Sequence, residues 1–257
     1  MTTATRIANA QRIVLKVGSS SITGANESNL QLIADFASRM KLLKKDLVVV
    51  SSGAIATAAP LIGLTVKSDD LPTSQALASI GQARLMGRYE RALAVHELMP
   101  GQILLTVDNL EQEQTSQNAF LAIQRLLEIG VVPIINENDS IATSEIRFGD
   151  NDQLAAKVSK LLKADLLILL SDIDSLFTKP PTEPGAQRLE VIGTDFDMDS
   201  IEVSGTSTGY GTGGAVTKLA AARFATSAGI GVLLTETSNI SKLDSEAVMH
   251  TWFEPAV

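Results

Sequence analysis

The stretch IVLKVGSS, residues 13–20, is an almost unbroken apolar run with one lysine, Lys16, set inside it and a small polar ending. An apolar run that does not alternate with polar residues describes a strand covered on both faces, as in a parallel sheet flanked by helices. Five more runs of this kind follow: LVVVSS from Leu47, GQILLT from Gly101, VVPIINE from Val131, LLILLS from Leu166 and VLLTE from Val232. Between them, residues 29–45, 74–98, 118–130 and 151–165 carry Leu and Ala at helical spacing, and Gly130 stands where a C-cap ends one of these segments. Strand and helix in alternation predict an α/β fold, a three-layer α/β/α sandwich around a mainly parallel open sheet. No Gly/Ser- or Pro-rich linker divides residues 1–257, so a single domain is expected.

Lys16 is costly in a covered strand unless its ammonium finds a partner. Snorkelling to the sheet edge is one solution, and an anionic ligand at that edge is the other. Ligands of open parallel sheets bind beyond the carboxyl ends of the strands. Those ends read Lys16-Val17-Gly18-Ser19-Ser20, Ser51-Ser52-Gly53, Asn136-Glu137-Asn138-Asp139 and Ser171-Asp172. Caps and turns use the same residue types, but four such clusters on one edge, with a lysine among them, point to a site.

Composition narrows the chemistry. With 45% hydrophobic and 19% charged residues in 257, the chain can bury a large core. Its net charge is −8 and it has no block of basic residues, so a broad nucleic-acid surface is excluded and anionic ligands need local positive pockets. There is no cysteine, and His96 and His250 are the only histidines, which excludes disulfides and Cys/His zinc sites. The first residues, MTTATRIANAQR, lack the apolar core of a signal peptide, and no apolar run reaches membrane-spanning length. A soluble, cytoplasmic protein is expected. Residues 172–208 lack a strong period; the prolines at 180, 181 and 184 fit turns or a hairpin, a candidate flap over the site.

The segment GTSTGYGTGG, residues 205–214, contains G-x-G-x-x-G at Gly209, Gly211 and Gly214, with Glu236 downstream. A dinucleotide fingerprint belongs directly after a buried strand, usually the first, and this one comes late in the chain after VSGTST. A P-loop requires Lys after Gly214, where Ala215 stands. The underlying physics still applies: glycines let backbone N–H groups approach phosphate, and the helix start that follows adds partial positive charge. Thr217 and Lys218 fall in its first turns. The opposing reading is a disordered glycine loop with Lys218 solvated.

Taken together, these residues resemble the amino acid kinase family. The resemblance runs from about Ile13 to Phe253, on IVLKVGSSSIT, VVVSSGAIA, QALASIGQARLM, INENDSIA, IRFGDND, ADLLILLSD and GTGGAVTK; INEND followed by GDND is its most specific mark. Ser171, Ser175, Phe177 and Ala215 stand where the family pattern has Thr, Gly, Tyr and Met. Many relatives add a C-terminal PUA domain, which is not expected here. The resemblance implies transfer of the γ-phosphoryl of ATP to the side-chain carboxylate of L-glutamate, the entry to proline biosynthesis. It implies Mg²⁺ bridging ATP oxygens, with no side chain singled out as its direct ligand. Lys16 and Lys218 would flank the transferred group, held by Asp152. Gly18, Gly53 and Gly213 would offer backbone donors. Ser171 and Asp172, with Thr212, Gly213, Gly214, Ala215, Val216, Thr217 and Lys218, would hold the nucleotide. Ser52, Gly53, Asp139, Asp150 and Asn151 would hold glutamate. A homo-oligomer with feedback inhibition by proline is the family expectation; the apolar stripe of residues 74–93 suits either an interface or a core-facing helix. An acetylglutamate or carbamate kinase, or a sensor without catalysis, remain the alternatives, and NENDS and GDND could also be plain Asx turns.

Overall fold

The protein is described by a computed structural model covering residues 1–64, 70–141, 151–180, 182–201 and 214–256. Its strands are β1 (Arg12–Val17), β2 (Asp46–Ser51), β3 (Pro100–Leu105), β4 (Val132–Glu137), β5 (Leu166–Ser171), β6 (Leu176–Phe177), β7 (Arg188–Leu189), β8 (Val191–Ile192), β9 (Gly231–Glu236) and β10 (Thr251–Phe253). Its α-helices are α1 (Thr3–Asn9), α2 (Asn29–Leu42), α3 (Ala54–Ala58), α4 (Leu71–Ala94), α5 (Val107–Glu111), α6 (Glu113–Glu128), α7 (Asn151–Leu161) and α8 (Ala215–Ser227). The main sheet runs β3-β4-β2-β1-β5-β9-β10-β8, parallel except where β10 meets β9. The chain leaves β1 towards β2 on one side and returns to β5 on the other. The carboxyl end of β1 therefore lies at the point where strand order reverses, the usual ligand crevice of such sheets.

Strand alternation assigns each strand residue to a layer. Ile13, Leu15 and Val17 pack with Leu30, Ile33 and Phe36 of α2 and with Leu85 and Tyr89 of α4. Val14, Val48 and Leu167 join Leu154 and Val158 of α7 and Leu219, Ala222 and Ala225 of α8 on the opposite face. Lys16 shares the parity of Val14. Its side chain is thus directed to the α7/α8 layer, away from α2 and α4.

The sequence expectations hold for all six long strands and for the helices between them. Several short elements, α1 and β8 among them, lie outside those expectations. α1 buries Thr3 and Ile7 in a terminus whose composition reads as polar. The hairpin expected around the prolines is the antiparallel pair β6–β7, while β8, one residue further on, joins the edge of the main sheet beside β10. The apolar stripe of α4 is accounted for inside the chain, with Leu77, Ala78, Gly81, Leu85, Tyr89 and Leu93 all buried.

Helix α4 begins at Asp70, whose carboxylate accepts the Thr73 N–H at 2.9 Å, and Pro72 sits where a missing N–H costs nothing. It crosses α3 at its closest point at Gly81: a Cβ there would lie 1.8 Å from the Ala54 carbonyl oxygen. Gly87, on the same helix, has its nearest such neighbour at 3.7 Å, the end of the Arg91 side chain. Glycine costs a helix interior about 1 kcal/mol relative to alanine. Gly87→Ala is therefore expected to stabilise the protein by up to about that amount, whereas Gly81→Ala should cost at least about 2 kcal/mol through overpacking. Urea unfolding of the two variants checks this; equal effects would show that α3 and α4 do not meet as described.

Candidate active site

Three charged side chains meet at the carboxyl end of β1. Asp152, in the first turn of α7, places Oδ1 2.5 Å from Lys16 Nζ and Oδ2 3.3 Å from Lys218 Nζ. The Thr217 hydroxyl adds a contact to the same Oδ2 at 2.8 Å and lies 3.0 Å from the Gly214 carbonyl oxygen. Relative exposure is 4% for Lys16, 1% for Asp152 and 5% for Lys218. Lys218 is therefore not a solvated helix residue, and Lys16 does not escape to water along the sheet. The cost of burying each ammonium is met by one shared carboxylate.

Two cations thus share one buried anion inside a chain whose net charge is −8. Burial alone would raise the Asp152 carboxyl; the charges of Lys16 and Lys218, with hydrogen bonds from Lys16 and Thr217, more than offset it and hold the carboxyl down at about 2. Burial lowers the Lys218 ammonium and repulsion from Lys16 lowers it further, against attraction from Asp152 and the exposed Asp172.

Beside this cluster runs a chain of neutral polar groups. Asn151 Nδ2 donates to Ser52 Oγ at 2.8 Å and to Asn136 Oδ1 at 3.3 Å. Asn136 Oδ1 also accepts the Glu137 backbone N–H at 2.9 Å, and Asn136 Nδ2 donates to Gln82 Oε1 of α4 at 2.7 Å. Asn151 and Asn136 are 2% and 1% exposed. Ser52 follows β2 and donates its N–H to the Val17 carbonyl at 3.0 Å. Next to it Gly53 starts α3 with φ +104°, a conformation that disfavours any side chain, and a Cβ there would meet the Thr23 methyl at 3.2 Å. Asp139 is buried just beyond β4. On the other flank, Ser171 ends β5; its hydroxyl donates to Asp172 Oδ1 at 3.0 Å, and its carbonyl accepts from Thr237 Oγ1 at 3.0 Å.

The structure thus brings Lys16, Asp152, Thr217 and Lys218 into direct contact. Ser52 and Asn151 are hydrogen-bonded beside them, through the Asn151–Asp152 peptide. Gly18 borders the cluster, since a Cβ on it would lie 3.8 Å from Lys16 Nζ. Gly214, Ala215 and Val216 lead into Thr217 at the start of α8, with Val216 exposed. Asp150, Thr212 and Gly213 lie outside the described residues. From the sequence Asn136 was read only as a member of a strand-end cluster, and Gln82 was not singled out as a site residue. Asn136 interrupts VVPIINE as Lys16 interrupts IVLKV, and the same cost argument applies to it; Gln82 sits within an apolar helix stripe and gives no such signal.

A covered parallel sheet whose reversal point carries two buried lysines on one aspartate defines an anion-handling transferase site. The chain belongs to the amino acid kinase family, whose model matches residues 11–236. Among curated relatives, it is 49% identical over 257 residues to "Glutamate 5-kinase" of Clavibacter michiganensis subsp. michiganensis, covering 99% of each chain. It is 43% identical to the protein of the same name from Salinispora arenicola, over 98% of this chain and 69% of that one. A solved carbamate kinase from Giardia lamblia bound to AMP-PNP shares the fold, with TM-score 0.65 and 14% identity over 97% of this chain and all of that one. UMP kinase from Ureaplasma parvum does so at TM-score 0.60 and 16% identity, over 95% of this chain and 98% of that one.

The depressed Asp152 pKa gives a signed expectation. Its ionised form contributes fully above the ordinary value of 3.8, and the contribution is lost as pH falls towards about 2. Asp152→Asn should cost about 3–5 kcal/mol near neutral pH, because two ammoniums lose their counter-charge. It should also flatten the acid side of the stability curve, measured by urea unfolding over a pH series.

Proposed function

We propose that the chain transfers the γ-phosphoryl of ATP to the side-chain carboxylate of L-glutamate, giving L-glutamyl 5-phosphate, the first step of proline biosynthesis. The observation that carries this reading is the Lys16–Asp152–Lys218 cluster, with Asn151 and Ser52 fixed beside it. The acceptor is a carboxylate with an ordinary pKa of about 4.3, ionised at neutral pH, so no general base is needed. The obstacle is repulsion between two anions, and catalysis then rests on alignment and charge neutralisation. Lys16 and Lys218 approach the transferred group from β1 and α8, and Asp152 fixes the distance between them. Gly18 and Gly53 offer backbone donors to the bound anions, and the same role is proposed for Gly213. Ser171, Asp172 and residues 212–218 take the nucleotide. Ser52, Gly53, Asp139, Asp150 and Asn151 take glutamate, whose ammonium needs a carboxylate partner. That need distinguishes glutamate from acetylglutamate, which has no ammonium to pair.

Magnesium fits this site as part of the nucleotide. Among the described residues no three His, Asp or Glu side chains converge, and Asp152 already serves two ammoniums. A magnesium ion arriving with the nucleotide would supply charge neutralisation on the phosphates. No described helix is long and apolar enough to cross a membrane, in keeping with a cytoplasmic place for this reaction. Residues 1–257 as one kinase domain, a homo-oligomer and feedback inhibition by proline belong to the same reading.

Purified protein with Mg-ATP and L-glutamate should release ADP, and hydroxylamine should trap a glutamyl hydroxamate. Turnover with acetylglutamate and none with glutamate would sink the assignment. Lys218→Ala should lower kcat about 100- to 1,000-fold, far more than it lowers the unfolding midpoint; a matching loss of stability would make the residue structural. Because burial and Lys16 lower the Lys218 pKa, the alkaline limb of kcat/KM for ATP should fall below the ordinary lysine value of 10.5.

A further inference from the structure

The orientation of three side-chain amides is fixed by one backbone group. The Glu137 N–H can only donate, so the Asn136 atom 2.9 Å away is Oδ1. The other end of Asn136 is then Nδ2, a donor, and the Gln82 atom facing it at 2.7 Å is Oε1. By the same logic the Asn151 atom 3.3 Å from Asn136 Oδ1 is Nδ2, which also reaches Ser52 Oγ at 2.8 Å. Two atoms remain: Gln82 Nε2, a donor, and Asn151 Oδ1, an acceptor. Both are buried without a hydrogen-bond partner among the described residues. A buried polar atom already withdrawn from water has most to gain when a partner arrives.

A donor and an acceptor on one rigid amide chain match the head of a free α-amino acid, whose carboxylate accepts and whose ammonium donates. Position separates this end from the chemistry. Asn151 adjoins Asp152, whereas Gln82 lies two hydrogen bonds further away. Gln82 also meets β4, two strands from β1 in the direction opposite to β5 and the nucleotide side. The reacting carboxylate belongs with the lysines; the group that reaches Gln82 is the far end of the acceptor. We propose that Gln82 is a specificity-determining residue, donating from Nε2 to the α-carboxylate of the acceptor while Asn151 Oδ1 accepts one N–H of its ammonium beside the carboxylate partner assigned above. This rests on the amino-acid acceptor proposed above.

Gln82→Glu tests the contact directly. The variant keeps an oxygen for Asn136 Nδ2 and replaces the free donor with an anionic acceptor. It should raise KM for L-glutamate about 10- to 100-fold, leaving KM for ATP nearly unchanged. L-isoglutamine, which carries a carboxamide in place of the α-carboxylate and keeps the side-chain carboxylate, supplies the second arm. The parent protein should prefer glutamate strongly, and Gln82→Glu should lose most of that preference, because its carboxylate can accept from the amide. An unchanged glutamate KM, or an undiminished preference, would overturn the assignment and leave Gln82 as a tie between α4 and β4. Should Gln82→Glu fail to fold, Gln82→Met carries the same comparison. If the parent protein turns over no glutamate, the kinase reading fails by itself; the rise in melting temperature given by L-glutamate, and its loss in the variant, then decides the contact.

Discussion

One carboxylate shared by two buried ammonium groups governs this molecule. Asp152 alone brings together a strand lysine, a helix lysine and the start of a third element, and each of the three is expensive to bury without the others. The sheet fixes Lys16 from below: its alternation sends the residue towards the α7/α8 layer. α7 answers with Asp152 in its first turn, and α8 with Lys218 in its own. Because β1 lies where strand order reverses, this meeting point stands at the carboxyl edge of the sheet, where ligands of such sheets bind. Architecture and charge therefore select the same place.

How far the sequence announces this depends on how each residue breaks its local pattern. IVLKV and VPIIN read as covered strands because their apolar character is continuous, and Lys16 stands out because a charge there must be matched. Asp152 and Lys218 were legible through the resemblance, being ordinary polar residues near helix starts when taken one at a time. β8 and β10 are two and three residues long, too short to show a period of two. α1 holds its place through Thr3 and Ile7, and two buried residues make no stripe. Gln82 was invisible for a different reason. A glutamine beside an apolar stripe looks like the polar border of that stripe, and only the position of β4 shows that it faces Asn136. Long strands and mismatched charges can be read from one segment; a hydrogen bond between layers needs both partners placed.

The two walls of the crevice differ in kind. Towards β5 and α8 the groups are charged or are backbone and hydroxyl atoms next to lysine, suited to phosphate. Towards β2, β4 and α4 amides and hydroxyls stand beside the buried carboxylates of Glu137 and Asp139: Ser51 bonds the fully buried Tyr89 hydroxyl at 2.8 Å, Asn136 bonds Gln82, and Ser52 bonds Asn151. Burial pushes the ionisation of Tyr89 well above its ordinary range, so this hydroxyl stays neutral at any working pH. Field strength is concentrated where charge must be cancelled, and orientation is concentrated where a small molecule must be told from its analogues.

The contact between Gly81 and the Ala54 carbonyl has an engineering consequence. Helix α4 cannot be slid or tilted to widen the crevice without carrying Gln82 and Tyr89 away from β4 and β2 and unseating α3, at whose start Gly53 stands. A redesign for bulkier acceptors would do better to leave this helical brace alone and trim side chains on the strand ends. Enlargement by backbone drift would forfeit selectivity before it gained room.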